Sequence, residues 1–227
     1  TATLTVENEA RTRRMLIDGS KDTQRASSWA DAVLFLSDSA PRDDERAFIA
    51  ELGMTPLTTV GVLSRADSFG PGAFGLEDPL EVANRYAGRI GEQLGASVGV
   101  VVPLSGLLAE SALTGRVNGA LARDLAALAS LDREQLIDFI EFADPSRVVE
   151  GFNAAQRDEL LDVMGEYGLV YGRSVAAEHG PGGLLQWMRQ TSGIDRLTEI
   201  ITQSMPYYAT LQRAVRIVDA LELSLIH

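Results

Sequence analysis

The chain has 227 residues, 45% of them hydrophobic, and a formal net charge of −12. Its size allows a substantial buried core, whereas its acidic balance opposes broad binding to nucleic-acid phosphates, which requires clustered Lys and Arg. It contains no cysteine, which excludes disulfides and thiolate metal sites. No apolar stretch reaches the ~20 residues of a membrane-spanning helix, and the first residues do not resemble a signal peptide. We therefore expect a cytoplasmic protein that does not bind nucleic acid.

The first hundred residues alternate short apolar runs with amphipathic stretches. Such runs, rich in branched residues and unbroken by polar positions, are typical of strands buried on both faces. The predicted strands are 15–17, 32–36, 59–63 and 98–102. Helices are predicted over 43–52, where Asp43, Asp44 and Glu45 would form an acidic first turn, and over 79–94. This alternation predicts an α/β fold with a parallel sheet.

Beyond about residue 107 the strand signal fades. Helices are predicted over 107–128, 132–142 and 153–165, and the glycine-rich segment 179–183 predicts a loop. From Ile194 to Val218, apolar residues recur at spacings of three and four, which predicts a long helix. Pro206 is expected to kink or restart it. The apolar stripe suits either a helical bundle or packing against the chain's own sheet.

Polar residues follow three of the predicted strands, at the edge of a parallel sheet where ligands bind. Asp18 can hold Mg²⁺ or cap a turn. Asp67 can accept two parallel hydrogen bonds from the edge of a guanine ring, or cap a following helix. The backbone of Ser105 and Gly106 can approach a base oxygen, or form a simple turn.

These segments, in this order, resemble the dynamin-like GTPases. Residues 15–18 resemble the strand that opens the Asp-x-x-Gly motif, and 30–36 resemble the next strand. Residues 60–67 resemble the guanine-specificity motif, usually Asn/Thr-Lys-x-Asp, and 101–109 resemble the last base-contacting loop. The helix around 192–197 resembles the close of the GTPase region. The resemblance implies that Asp18 supports Mg²⁺ and that the nucleotide-binding residues are Ser64, Arg65, Asp67, Ser105 and Gly106.

The sequence departs from the family pattern in three ways. The P-loop G-x-x-x-x-G-K-[ST] is absent, and the single lysine, Lys21, follows Asp18 instead of preceding it. Asp18-Gly19-Ser20 lacks the expected Thr-Pro-Gly, and the segment before Ala30 is short for a switch region. Arg65 stands where the family has Lys. A truncated chain, an omitted switch loop and a degenerate GTPase remain open as explanations.

The resemblance implies a P-loop GTPase-like α/β domain over residues 1–200, with its amino-terminal part missing and a helical insertion at about 107–192. Residues 201–227 would begin a helical bundle. The complete protein would bind GTP and GDP, hydrolyse GTP with Mg²⁺ and self-associate through this domain. It would act in membrane remodelling or maintenance through this nucleotide-dependent assembly. Membrane contact, at the inner face of the plasma membrane, would lie outside this chain. The alternative is a catalytically inactive GTPase-like interaction module that acts by oligomerisation. By itself, this chain is expected to bind GTP weakly or not at all and to hydrolyse none.

Overall fold

The structure is a computed structural model. It describes residues 3–6, 14–17, 30–51, 54–142 and 144–226. The strands, in chain order, are β1 (Thr3–Val6), β2 (Arg14–Ile17), β3 (Val33–Ser37), β4 (Thr59–Ser64) and β5 (Val100–Leu104). The strands β3, β4 and β5 form a parallel sheet, as the sequence predicted. Within this sheet β4 lies between β3 and β5.

The prediction that residues 15–17 join this parallel sheet is wrong. These residues do form a strand, but β2 pairs antiparallel with β1, with Leu4 opposite Leu16. Residues 3–6 alternate polar and apolar positions, Thr-Leu-Thr-Val, which is the pattern of a strand with one apolar face. A partner close in the chain therefore takes the place of the distant parallel strand that the apolar run suggested.

The two faces of β4 pack against different elements. Val60 and Val62 point to one face, whereas Leu63 belongs to the main core on the other, as the twofold periodicity of a strand requires. The main core contains the apolar side of α2 (Pro79–Leu94) and Ile49 of α1 (Asp43–Glu51). Both helices lie where they were predicted. The sheet is thus covered on both sides, which explains the unbroken apolar runs.

Capping and turn residues determine where the helices begin. The carboxylate of Asp78 accepts a hydrogen bond from the Leu80 amide (2.8 Å), and Pro79 occupies the first position of α2. The acidic first turn of α1 is stabilised similarly, because Glu45 accepts from the Arg42 amide (2.8 Å). The acidic residues thus form the first turn of the helix, as predicted.

After β5 the described chain is helical. The elements are α3 (Gly106–Leu113), α4 (Gly119–Ala127), α5 (Arg133–Glu141) and α6 (Ala154–Ser192). The single helix predicted over 107–128 is wrong, because it ends at Leu113 and a new helix starts at Gly119. Asn118 causes the restart, since its side-chain oxygen accepts from the amides of Ala120 (2.9 Å) and Leu121 (3.0 Å).

The helix α6 folds back on itself. The rings of Tyr167 and Trp187 lie 6.1 Å apart, although a straight helix would separate positions 20 residues apart by ~30 Å. Its backbone leaves the helical region at Gly165 and at Gly180, which has φ 63° and precedes Pro181. The reversal at Gly180 falls in the segment 179–183 that was predicted to be a loop. The result is a helical hairpin. Its two arms lie on either side of Gly180 and approach each other closely at Gly172 and Trp187.

The last helices cover the second face of the sheet. They are α7 (Ile194–Glu199), the π-helical segment Ile200–Ser204 and α8 (Met205–Ile226). Leu197, Ile200 and Met205 are buried against the valines of β4 and β5. Farther along α8, Leu211, Val215 and Val218 are 49%, 55% and 52% exposed. The first part of the predicted apolar stripe therefore packs against the chain's own sheet, whereas the use of the second part in a helical bundle stays a prediction.

The helix α8 is also attached to the segment just before β3. Arg216 donates a hydrogen bond to the Ala30 carbonyl (2.9 Å), and Arg213 and Arg216 both pair with the carboxylate of Asp31. The π-helical segment before Pro206 has helical residues at both of its ends, so the chain runs on into α8 without the restart predicted at Pro206. A kink at Pro206 stays a prediction. In the part of the chain that the structure describes, no helix is both long enough and apolar enough to cross a membrane.

Gly193 offers a test of how α6, α7 and β5 are joined. Its φ is 84°, and an added Cβ would lie well inside van der Waals contact with the carbonyl oxygen of Pro103. We expect Gly193→Ala to lower the free energy of unfolding by about 2–4 kcal/mol, through strain and overpacking. The control Gly88→Ala adds its Cβ into open space inside α2 and should raise that free energy by about 0.5–1 kcal/mol. Urea unfolding followed by circular dichroism measures both, and equal stability of the two variants would contradict the packing described.

Candidate functional site

The residues after β4 and β5 lie side by side at the carboxyl edge of the parallel sheet. In the ladder, Ser64 pairs with Leu104 at the last position of each strand. Because the strands are parallel, the segments 65–67 and 105–106 leave the sheet together. The hydroxyl of Ser64 donates to the Ser37 carbonyl (3.2 Å), so this predicted site residue ties β4 to the end of β3.

Arg65 has an unusual backbone conformation. Its φ is 56° and its ψ is 35°, and among the described residues it is the one non-glycine residue with positive φ. The turn is held by its carbonyl oxygen, which accepts from the amide (3.1 Å) and the hydroxyl (3.2 Å) of Ser68. A left-handed residue other than glycine is strained, and such residues concentrate at functional sites. The arginine side chain itself is exposed.

Asp67 is half-buried in the short 3₁₀ turn Ala66–Ser68. The alternative prediction, that it caps the following helix, is wrong, because Asp78 caps α2. Within the described part of the chain, its carboxylate makes no hydrogen bond or ion pair. A carboxylate with both oxygens available can accept two parallel N–H donors from a ligand.

The Ser105–Gly106 segment divides its roles between the two residues. Ser105 is buried; its amide donates to the Ser192 carbonyl (2.9 Å), and its hydroxyl accepts from the Leu108 amide (3.4 Å) as the cap of α3. The Ser105 amide is thus already used inside the protein. Gly106 is exposed and begins α3, where backbone amides have no acceptor within the helix. Of the two predicted residues, Gly106 is the one whose amide can meet a ligand.

A buried tyrosine, which the sequence reading missed, lies near this edge. Tyr167 is 4% exposed, and its hydroxyl lies 3.2 Å from the Asp78 carboxylate, to which it donates. Burial raises the pKa of Tyr167 well above its usual value of 10.0, and the negative charges of Asp78 and Asp67 add to this. In the sequence it is one of many apolar helix positions, and no pattern marks it as different.

The predicted metal residue, Asp18, lies outside the described residues. Within them, no group of three or more Asp, Glu or His side chains could hold a metal ion. Mg²⁺ is commonly held by one or two carboxylates together with substrate phosphates and water. The prediction that Asp18 supports Mg²⁺ therefore stays a prediction.

The raised pKa of Tyr167 predicts a loss of stability at alkaline pH. Above its usual pKa the phenol ionises in the unfolded chain but stays protonated in the folded one. The unfolded state then binds fewer protons, so the free energy of unfolding falls as the pH rises past about 10. Tyr167→Phe should destabilise the protein at neutral pH but lessen this alkaline loss. Urea titrations at about pH 8 and about pH 11 measure the difference, and parallel losses in the two proteins would contradict the assignment.

No protein-family model, curated protein or solved structure matches this chain. The α/β fold with its three-stranded parallel sheet is described by the structure itself. The residues at the carboxyl edge of that sheet therefore carry the evidence for function.

Proposed function

We propose that this chain is the guanine-selecting part of a dynamin-like protein that binds and hydrolyses GTP. The observation that carries the proposal is the meeting of Arg65, Asp67 and Gly106 at one sheet edge, with Asp67 unpaired among the described residues. The strained backbone of Arg65 supports it, because residues with strain of this kind cluster at active sites and ligand-binding sites.

The proposed selectivity follows from hydrogen-bond chemistry. One edge of guanine presents two parallel donors, N1–H and the N2 amine, which match the two oxygens of the Asp67 carboxylate. Adenine has an acceptor at N1, which would face the acceptor oxygens of the carboxylate and could form no hydrogen bond with them. The Gly106 amide would donate to the guanine O6, and the apolar stem of Arg65 would cover the face of the base.

The phosphate chemistry would depend on groups that this sequence lacks. Hydrolysis of GTP to GDP and phosphate is achieved mainly by positioning and charge stabilisation, for which a P-loop lysine is needed. Bound Mg²⁺ would neutralise charge on the phosphates, with Asp18 as its proposed support. We therefore propose base selection by this chain and a phosphate cradle elsewhere in the complete protein. That protein would self-associate and remodel membranes, with peripheral contact at the inner face of the plasma membrane.

One observation favours the second candidate, a GTPase-like interaction module without catalysis. Leu211, Val215 and Val218 lie at helical spacing on α8 and are about half exposed. Such a stripe can form a contact between chains without any nucleotide. Stable oligomers that form in the absence of nucleotide, together with no response to guanine nucleotides, would support this alternative.

The base-selecting role of Asp67 predicts a change of nucleotide. Xanthine has an oxygen where guanine has the N2 amine, so it presents a donor and an acceptor instead of two donors. We expect Asp67→Asn, whose amide offers one acceptor and one donor, to weaken GDP binding about tenfold or more and to gain binding of the xanthine nucleotide. Because the chain lacks a phosphate cradle, we expect weak nucleotide binding. Shifts of the backbone amide signals in NMR titrations can detect weak binding and therefore suit this measurement.

Asp219→Asn, on the exposed surface of α8, is the matched control and should behave like the wild type. The Gly106 amide should shift with GDP and not with ADP. Equal responses to GDP and ADP, or no response of Gly106 to either, would contradict the proposed site.

A further inference from the structure

A cleft of about 400 Å³ lies between α2 and the two arms of the α6 hairpin. We propose that this cleft binds an organic cation, a guanidinium or alkylammonium group. The inference goes beyond the proposed nucleotide site, because neither Arg65, Asp67 nor Gly106 lines the cleft. It rests on three features of the lining: stacked aromatic rings, two carboxylates, and the absence of a basic side chain.

The aromatic wall comes from both arms of the hairpin. Tyr167 stacks on Tyr171, with ring centroids 4.6 Å apart. The Trp187 ring is almost parallel to the Tyr167 ring, with an angle of 5° between their planes. Gly172 permits this arrangement, since an added Cβ there would lie 3.1 Å from the Trp187 ring. Tyr167 is buried, so the rings that a ligand can reach are those of Tyr171 and Trp187, which are half-buried. The faces of aromatic rings carry negative potential and attract cations, Trp and Tyr more strongly than Phe.

The charged residues of the lining are both acidic. Asp78 is committed to the fold, since it accepts from the Leu80 amide (2.8 Å) and the Tyr167 hydroxyl (3.2 Å). Glu81 lies one turn along α2, is exposed, and makes no hydrogen bond or ion pair with the described residues. It is therefore the carboxylate that remains for a ligand. The other polar side chains of the lining are uncharged: Asn84, Gln190, Thr191 and the two tyrosines.

The neighbouring arginines do not neutralise this site. Arg85 lies one turn from Glu81, where it could have formed an ion pair, but it pairs with Glu77. Arg189 precedes Gln190 in the chain and pairs with Asp195 at 2.8 Å. The cleft thus keeps an uncompensated negative charge beside its aromatic wall.

These features favour an organic cation over a metal ion. The volume is that of a group of several non-hydrogen atoms, and the described residues contain no set of three metal-ligating side chains. A guanidinium or alkylammonium group can place an apolar surface on the rings while its charge faces Glu81. A bare metal ion would leave the aromatic wall unused.

The test is a calorimetric titration of the full chain with choline and with arginine amide, at constant ionic strength. The neutral isostere of choline, 3,3-dimethylbutan-1-ol, is the ligand control. We expect at least one cation to bind, and to bind about tenfold more tightly than the neutral isostere. Failure of both cations to bind, or equal binding of the neutral isostere, would overturn the proposal.

Two pairs of variants locate the site. Glu81→Gln should weaken cation binding several-fold, whereas Glu92→Gln, an exposed carboxylate on the same helix outside the cleft, should leave it unchanged. Tyr171→Leu should weaken binding, and Tyr171→Phe, which keeps the ring, should largely preserve it. Thermal unfolding of each variant checks that the fold is intact. A folded Glu81→Gln variant with wild-type affinity would overturn the assignment.

Discussion

The parallel pairing of β4 with both of its neighbours is the constraint on which the rest of the structure depends. Residues 59–63 are buried, and this burial requires apolar elements on both faces of the sheet. The apolar side of α2 meets one face, and α7 with the start of α8 meets the other. The helical hairpin is joined to this layer at Ser105, whose amide is satisfied by the Ser192 carbonyl. The same strand pairing therefore sets the position of the candidate site and of the hairpin.

The candidate site follows from strand register more than from any single side chain. A shift of β5 by one residue would exchange the residues at the sheet edge and turn the buried Val102 to the opposite face of the sheet. Burial of this side chain in the apolar core therefore keeps the strands in register. Arg65 is held in its left-handed conformation by hydrogen bonds from Ser68, and Gly106 is placed by the start of α3. The proposed ligand contacts thus come from turns anchored to rigid elements.

Much of this arrangement could be predicted from the sequence, for reasons that are local. The strand at 59–63 is an unbroken apolar run, and Pro79 marks the beginning of α2. The break between Leu113 and Gly119 was missed because the apolar spacing continues across it. The two helices are separated by Gly115, which has a φ of 73°, and the second begins at its cap, Asn118. The partner of residues 15–17 was missed because strand pairing joins distant segments, and an apolar run does not encode its neighbour.

The residues of the site could be predicted from the sequence, but the role of each residue could not. The sequence indicated Asp67 and the pair Ser105–Gly106 by their places after strands. It could not show that the Ser105 amide is already bonded, since its acceptor, Ser192, lies 87 residues away. The aromatic wall of the cleft was hidden for a similar reason. Tyr167 and Trp187 meet only because α6 reverses at Gly180.

The attachment of α8 to the sheet at two places makes the far end of that helix follow any rotation of the sheet. Met205 is buried against the sheet, and about two turns later Arg213 and Arg216 share the carboxylate of Asp31 just before β3. Two fixed points define a direction, so the sheet sets the orientation of the whole helix. The ten residues beyond Arg216 extend for ~15 Å. A rotation of the sheet by about 20° would therefore carry the far end of α8 through roughly 5 Å relative to its second point of attachment.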